Sequence, residues 1–358
     1  MILSVPAGVG TPALVVDLDV VEDNIDRMAR VAAVGEFAVR PHAKTHKAPQ
    51  FADLQRAAGA TGLTVATISE AEIFADAGFD DLFIAYPLWL DLDRTDRLRR
   101  LADRARIAVG VDSVPAARRL GEANLPVDVM IEVDSGHHRS GVAPGGAVGP
   151  ALAAAEAGLW VRGLFTFPGH AYHPDARLRA ARDEETALAV AADALRAVGL
   201  HPTVLSGGST PSVAYSRPGT VTELRPGVYV FNDAQQLALG SCTTDQIALA
   251  AATTVVSAPT PDRFVLDAGS KVLGADRPAW TPGFGFLPEF PEAVVTSLSE
   301  HHAVVAAPPG CPVPRIGETT LIVPNHVCSA VNLADHLVVT RGGKTVTHWP
   351  VSARGANL

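Results

Sequence analysis

A chain of 358 residues with a formal net charge of −9, and with Lys and Arg scattered instead of gathered into a stripe, is a poor match for a nucleic-acid or anionic-membrane binder. Hydrophobic residues make up 47% and charged residues 19%, which excludes a disordered chain, and no stretch approaches the roughly 20 uninterrupted apolar residues of a membrane span. The opening MILSVPAGVGTPALVVDLD does not look like a signal peptide. Three cysteines (Cys242, Cys311 and Cys328) argue against a disulfide framework and for a reducing, cytoplasmic setting.

The first 235 residues alternate short β-branched runs with Ala-, Leu- and Arg-rich stretches of helical period. In chain order the runs are FAVRPH (37–42), LTVATI (63–68), DLFIAY (81–86), RIAVGV (106–111), VDVMIEV (127–133), WVRGLFTF (160–167), TVLSG (203–207) and VYVFN (228–232). Between them lie segments such as APQFADLQRAAG and DEETALAVAADALRAVG. Eight strands with interposed helices predict an α/β chain with a (β/α)8 TIM-type barrel over residues 20–235. A doubly wound open sheet is the main alternative; no GxGxxG follows an early strand, which weakens it. Beyond residue 236 the segments IALAAATTVVS, RFVLDAGS, AVVAA, TTLIVPNH and HLVVTRGG read as strands broken by Pro and Gly. They predict a second, mostly β C-terminal domain of residues 236–358, joined by residues 1–19 through the early strand PALVVDLD.

RPHAKTHK puts Lys44 just past the first run, which in a barrel is the C-terminal face where active sites lie. A lysine that forms a Schiff base must shed its proton, and partial burial beside Arg40, His42, His46 and Lys47 favours that. On residue types alone a solvated basic loop is the plainer reading. LSGGSTPS (205–212) is a small-residue turn with a helix expected behind it. Its backbone amides at Gly208, Ser209 and Thr210, with the two hydroxyls, suit a phosphate, although an ordinary N-capped helix uses the same residues.

VPNHVCSAVNL (323–333) contains His326 and Cys328, which at strand period two project to the same face. A borderline-soft ion such as Zn²⁺ accepts imidazole and thiolate together, and two protein ligands suit a catalytic site completed by water and substrate. A buried strand cysteine beside an incidental histidine is the alternative. His301 and His302 read as loop residues. His201, His336 and His348 read as surface or structural, and Cys242 and Cys311 as reduced and non-catalytic.

TPALVVDLDVVEDNI followed by RPHAKTHK resembles the alanine-racemase-like, fold-type III enzymes that use pyridoxal 5′-phosphate (PLP), and within them the D-serine dehydratase and D-threonine aldolase branch. The similarity extends over nearly the whole chain and implies that Lys44 carries PLP. ELRPGVYVF (223–231) is similar to the RPG turn of alanine racemases. That implies phosphate contacts from the amides of Gly227 and Val228, with Arg225 near the pyridine nitrogen. Arginine cannot accept a proton, so the ring nitrogen would stay unprotonated. EVDSGHHRSGV (132–142) resembles the family's D-x-G-x-x-R-x-G segment, which implies that Arg139 contacts the phenolic oxygen; by itself it is also a surface arginine after a strand. FPGHAY (167–172) puts His170 and Tyr172 at a strand end, to meet cofactor or substrate or to form a structural pair. The His-x-Cys segment resembles the metal site of eukaryotic-type D-serine dehydratases, whereas D-threonine aldolases carry His-x-Asp. The implied ion is Zn²⁺, with Mn²⁺, Mg²⁺ and Co²⁺ as alternatives.

The resemblance therefore implies a PLP- and divalent-metal-dependent lyase acting on β-hydroxy D-amino acids, D-serine dehydratase-like, giving a keto acid and ammonia. D-threonine aldolase-like cleavage to glycine and an aldehyde is the alternative. An amino-acid racemase, needing a second base and no metal, is a further one. A non-catalytic PLP-binding protein of the small barrel type ranks last, since it would lack the β-domain. A homodimer is expected, with one subunit's β-domain covering the other's barrel mouth.

Overall fold

The computed structural model describes residues 3–358. Strand β1 (Ala13–Asp17) runs directly into helix α1 (Leu18–Gly35). There follow β2 (Ala38–Val39), α2 (Pro49–Ala57), β3 (Leu63–Val65), α3 (Ile68–Asp76), β4 (Asp81–Pro87), α4 (Leu92–Ala102), β5 (Arg106–Val111), α5 (Val114–Glu122) and β6 (Asp128–Glu132). Next come α6 (Val148–Glu156), β7 (Trp160–Phe165), α7 (Arg177–Ala197), β8 (Val204–Gly207) and β9 (Glu223–Leu224). The chain divides into two compact units. One comprises 28–44, 51–227 and 356–358; the other comprises the residues through Arg27, 45–50 and 228–355. The first boundary falls inside α1 because β1 passes into that helix without a linker.

In the first unit eight parallel strands run in the order β2-β9-β8-β7-β6-β5-β4-β3, and a parallel bridge between His42 and Thr64 joins the two ends. The sheet thus closes into the expected barrel. Several of its helices begin on side-chain caps that the sequence supplies. Thr67 accepts from Glu70 N, Asp91 from Arg94 N and Ser113 from Ala116 N, each cap contributing about 1 kcal/mol. Phe83, Ala108, Met130 and Phe165, from four successive strands, form a buried cluster in which the two phenyl rings meet edge to face at 5.0 Å.

One barrel strand differs from expectation. The eighth is Glu223–Leu224, whereas Val228–Val230 of VYVFN forms a 3-10 turn. Pro226 has no N–H to donate to the ladder, although its carbonyl still accepts from His42 N, and the β-branched residues beyond it are buried without being a strand.

The second unit continues with α8 (Ala234–Ala238), β10 (Leu249–Thr260), β11 (Arg263–Leu266), α9 (Ser270–Leu273), β12 (Gly285–Phe286), β13 (Val294–Leu298), β14 (Ala303–Ala306), β15 (Thr319–Pro324), α10 (Val327–Leu333), β16 (His336–Arg341) and β17 (Lys344–Pro350). Its sheet runs β13-β14-β11-β10-β1-β16-β17, with β15 on β10 and β12 on β15. β1 lies inside this sheet, antiparallel to β10 (Val15 opposite Ala250) and parallel to β16 (Val15 opposite Val338). A strand buried on both faces explains the unbroken apolar run ALVV. The core below it gathers Leu3, Val15, Ile247, Leu321, Val323, Val338 and Cys242. Among the described residues no helix is long and apolar enough to cross a membrane.

Candidate active site

A cavity of about 430 Å³ opens in the barrel unit, lined by His42, Lys44, Ala66, Ala85–Pro87, Asp112, Glu132, Arg139, Ser140, Phe165, Phe167 and Arg225. Every one of these stands at or just beyond the C-terminal end of a barrel strand, where side chains from different strands converge. The volume lies within the range of small-molecule sites, roughly 300–1,000 Å³.

Lys44 sits in a 3-10 turn, Ala43–Thr45, directly after the bridge at His42. The segment before it is fixed on both sides. Arg40 N and His42 N donate to Leu224 O and Pro226 O, and Thr64 N donates to Pro41 O. The ammonium lies 5.8 Å from the centre of the Phe167 ring. Arg139 reaches the same ring, its guanidinium 5.2 Å from the centre.

The Arg139 loop is built by its own sequence. Asp134 Oδ1 accepts from Gly136 N at 2.9 Å and from His138 N at 3.0 Å, and a bridge between Val133 and Val142 closes the loop. Burial raises the Asp134 pKa, but these two amides and the His138 ring outweigh it and leave the carboxyl below its ordinary range. Gly136 adopts φ +121°, and a Cβ at Gly141 (φ +92°) would sit 2.8 Å from Asp134 N, so both positions require glycine. Glu132, at the end of β6, accepts from Ser140 Oγ at 2.9 Å through Oε1, while its Oε2 is buried without a hydrogen bond. Burial pushes its carboxyl above the ordinary range.

Arg225 is buried between the rings of Phe83 and Phe165, 5.6 and 5.4 Å from their centres. Its Nη1 donates to Ser206 Oγ at 2.7 Å and its Nη2 to Thr166 O at 2.6 Å. Lys44, Arg139 and an Arg225 guanidinium that only donates therefore line one cavity. This donor set suits an anionic, aromatic cofactor and fits PLP.

The other expected contacts are arranged differently. Gly208, Ser209, Thr210 and Gly227 are not in the cavity lining, and no α-helix follows the 205–212 turn; a 3-10 turn (Val213–Tyr215) stands there instead. Gly208 N donates to Glu184 Oε2 at 2.7 Å and Ser209 N to Ser212 Oγ at 3.0 Å, so these two amides already have acceptors. Gly207 there makes room for a buried carboxylate: a Cβ on it would collide with Glu184. His170 and Tyr172 are also outside the lining. His170 Nε2 pairs with Asp183 Oδ2 at 3.2 Å, and the Tyr172 ring lies 6.2 Å from that of Phe167. Phe167, Glu132 and Glu184 were not singled out from the sequence. For Glu132 the signal was there, as an acid directly after the apolar run VMI.

In the second unit, His326 and Cys328 do not lie on a strand. His326 is the N-cap of α10 and Cys328 lies in that helix's first turn. The strand ends at Pro324, and Asp233 Oδ2 accepts from Val327 N at 3.1 Å, starting the helix. The two side chains still meet. Burial pushes the His326 imidazole down, but the Cys328 thiolate and the Asp233 carboxylate more than offset it and hold the imidazole well above its ordinary range. His326 Nδ1 lies 3.5 Å from Asp233 Oδ2, close enough for an ion pair but without a well-formed hydrogen bond, and Cys328 Sγ lies 3.3 Å from Thr45 Oγ1. Among the described residues no group of three or more His, Cys, Asp or Glu forms a complete metal cage. Imidazole and thiolate side by side are a fitting two-ligand set for a divalent ion that keeps open positions. His301 and His302 lie exposed between β13 and β14.

A parallel (β/α)8 barrel with a lysine at the end of its first strand, together with a separate β unit, defines the architecture of fold-type III PLP enzymes. The chain belongs to that family: the model of the alanine racemase N-terminal domain matches residues 16–235, and a serine dehydratase domain model matches residues 248–340. The D-threonine aldolase of Arthrobacter sp. is 34% identical, over 98% of this chain and 94% of that protein. The D-threo-3-hydroxyaspartate dehydratase of Delftia sp. is 35% identical, over 89% of this chain and 91% of that protein. The crystal structure of the D-threonine aldolase from Filomicrobium marinum superimposes with a TM-score of 0.88 at 33% identity, covering 99% of each chain. A D-threo-3-hydroxyaspartate dehydratase has been solved as a cysteine-to-alanine mutant in the metal-free form and as a histidine-to-alanine mutant, both with TM-score 0.89 to this chain at 31% and 30% identity. The first covers 96% of this chain and 97% of that one, the second 97% and 96%.

Proposed function

We propose that this chain is a PLP- and divalent-metal-dependent lyase acting on β-hydroxy D-amino acids, with Lys44 as the lysine that carries PLP. The observation that carries the reading is the convergence of Lys44, Arg139 and Arg225 on one cavity at the C-terminal ends of the barrel strands. In that reading Arg139 holds the phenolic oxygen and Arg225 the ring nitrogen. Bound PLP supplies an electron sink at the substrate's α-carbon. Lys44 Nζ takes the α-proton. Arg225, which donates but cannot accept a proton, leaves the ring nitrogen unprotonated. His326 and Cys328 would hold the metal, which supplies Lewis acidity to an oxygen on the β-carbon, and Asp233 steadies the imidazole.

For the reaction we favour loss of the β-hydroxyl, giving a keto acid and ammonia in the manner of a D-serine dehydratase. Cys328 supports this, as does the likeness to a D-threo-3-hydroxyaspartate dehydratase whose cysteine mutant has a metal-free form. Cleavage to glycine and an aldehyde is the second reading, favoured by the similarity to the Arthrobacter aldolase. The purified protein, given D-serine, D-threonine and D-threo-3-hydroxyaspartate, is to be assayed for pyruvate, 2-oxobutyrate, oxaloacetate, glycine and aldehyde together. Keto acid with little glycine supports elimination, and glycine with aldehyde assigns the aldolase. Interconversion of D and L isomers with neither product removes the lyase reading.

A further inference from the structure

Inside the barrel a continuous line of hydrogen bonds runs away from the cavity. Arg225 Nη1 donates to Ser206 Oγ at 2.7 Å, and Ser206 Oγ donates to Glu223 Oε1 at 2.6 Å. Arg40 Nε donates to Glu223 Oε2 at 2.8 Å, and Arg40 Nη1 donates to Asp81 Oδ1 at 2.7 Å. Arg225, Ser206, Glu223 and Arg40 are all buried, Ser206 completely. The directions are forced. Guanidinium groups only donate and carboxylates only accept, so the single Ser206 proton goes to Glu223 and its lone pair faces Arg225.

The arrangement is unusual for a buried cation. The hydrogen bonds of Arg225 end on a hydroxyl and a carbonyl, and Glu223, the first of the acids whose charge offsets its burial, stands one hydroxyl away. A direct carboxylate pair would neutralise the guanidinium where it stands. The interposed serine fixes its plane while leaving its charge directed at the cavity. Glu223 is in turn held by Arg40, so it cannot swing onto Arg225.

We infer that Ser206, Glu223 and Arg40 are positioning residues for Arg225, orienting its guanidinium toward the edge of an aromatic nitrogen base in the cavity. This deepens the reading of the Lys44 cavity as the PLP site and rests on it. Ser206 is the sensitive link, because it alone both donates and accepts.

The test uses full-length Ser206→Ala and Ser206→Thr proteins, stripped with hydroxylamine and titrated with PLP. It reads the PLP dissociation constant and the absorption maximum of the bound cofactor, with a thermal melt to check the fold. Losing a hydrogen bond to a charged group corresponds to roughly ten- to a hundredfold weaker PLP binding. Ser206→Ala should show that loss with a displaced band, and Ser206→Thr, which keeps the hydroxyl, should return both readouts toward wild type. If Ser206→Ala does not fold, Glu223→Gln takes its place with the same expected loss. Wild-type affinity and an unmoved band in the folded Ala or Gln variant would overturn the positioning role. The underlying reading fails in a different way: borohydride reduction of the wild-type holoenzyme would then label a lysine other than Lys44, or none.

Discussion

Replacing Glu184 with glutamine should remove a pH-dependent destabilisation of the barrel. Glu184 lies on α7, 1% exposed, with Oε2 against the Gly207–Gly208 turn and accepting from Gly208 N at 2.7 Å. Burial pushes its carboxyl from an ordinary 4.5 up to about 7; the Gly208 amide and the charge of Arg225 offset only part of that. Below pH 4.5 the group is protonated whether the chain is folded or not. Between 4.5 and about 7 the unfolded chain releases the proton while the folded chain keeps it, so stability falls as pH rises. Above about 7 the loss is complete. At 1.36 kcal/mol per unit this shift corresponds to ~3 kcal/mol, or several degrees of Tm. Glu184→Gln cannot ionise, and its amide oxygen can still accept from Gly208. The Tm of the variant minus that of the wild type, from calorimetry, should therefore grow by several degrees between pH 5 and pH 8. Parallel Tm curves across that range would refute the reasoning.

Chelation, or Cys328→Ala, should abolish lyase turnover while leaving the PLP absorption band in place; full turnover by protein that elemental analysis finds free of metal would exclude the metal role. Arg40→Ala strands the buried carboxylate of Glu223 in the barrel and should cost about 3–5 kcal/mol, read as a lower urea midpoint. An unchanged midpoint would show the pair to be energetically idle. The protein is expected to be a homodimer, so light scattering should return twice the 37.3 kDa chain mass, and a fully active monomer would exclude it.

What could be read from the sequence depended on how far apart in the chain the deciding atoms lie. The Arg139 loop was marked only by its resemblance to a D-x-G-x-x-R-x-G segment; the structure gives that pattern a local cause, since Asp134, Gly136 and Gly141 carry its hydrogen bonds and its positive φ angles within eight residues of one another. The position of Lys44 was legible from strand order alone, since a barrel brings the ends of its strands to one face. Where a short signal met a distant partner, the local reading failed. VYVFN has the composition of a strand, but Pro226 cannot donate to the ladder with β2, the chain turns into a 3-10 segment, and burial accounts for the apolar residues that follow. LSGGSTPS looks like an anion turn, yet Gly208 N is taken by Glu184, 24 residues earlier in α7. The His-x-Cys spacing is the most instructive of these. Alternation along a strand and the entry of a helix both bring residues i and i+2 within reach of each other, so the motif fits either geometry. The choice is made by Asp233, which accepts from Val327 N across 94 residues and so starts α10 immediately after His326. Asp233 Oδ1 also accepts from Gln236 N at the start of α8, and its other oxygen faces His326 Nδ1. One buried carboxylate therefore begins two helices and orients the imidazole, which ties the geometry of the His–Cys pair to the packing of the β unit instead of to the motif that announced it.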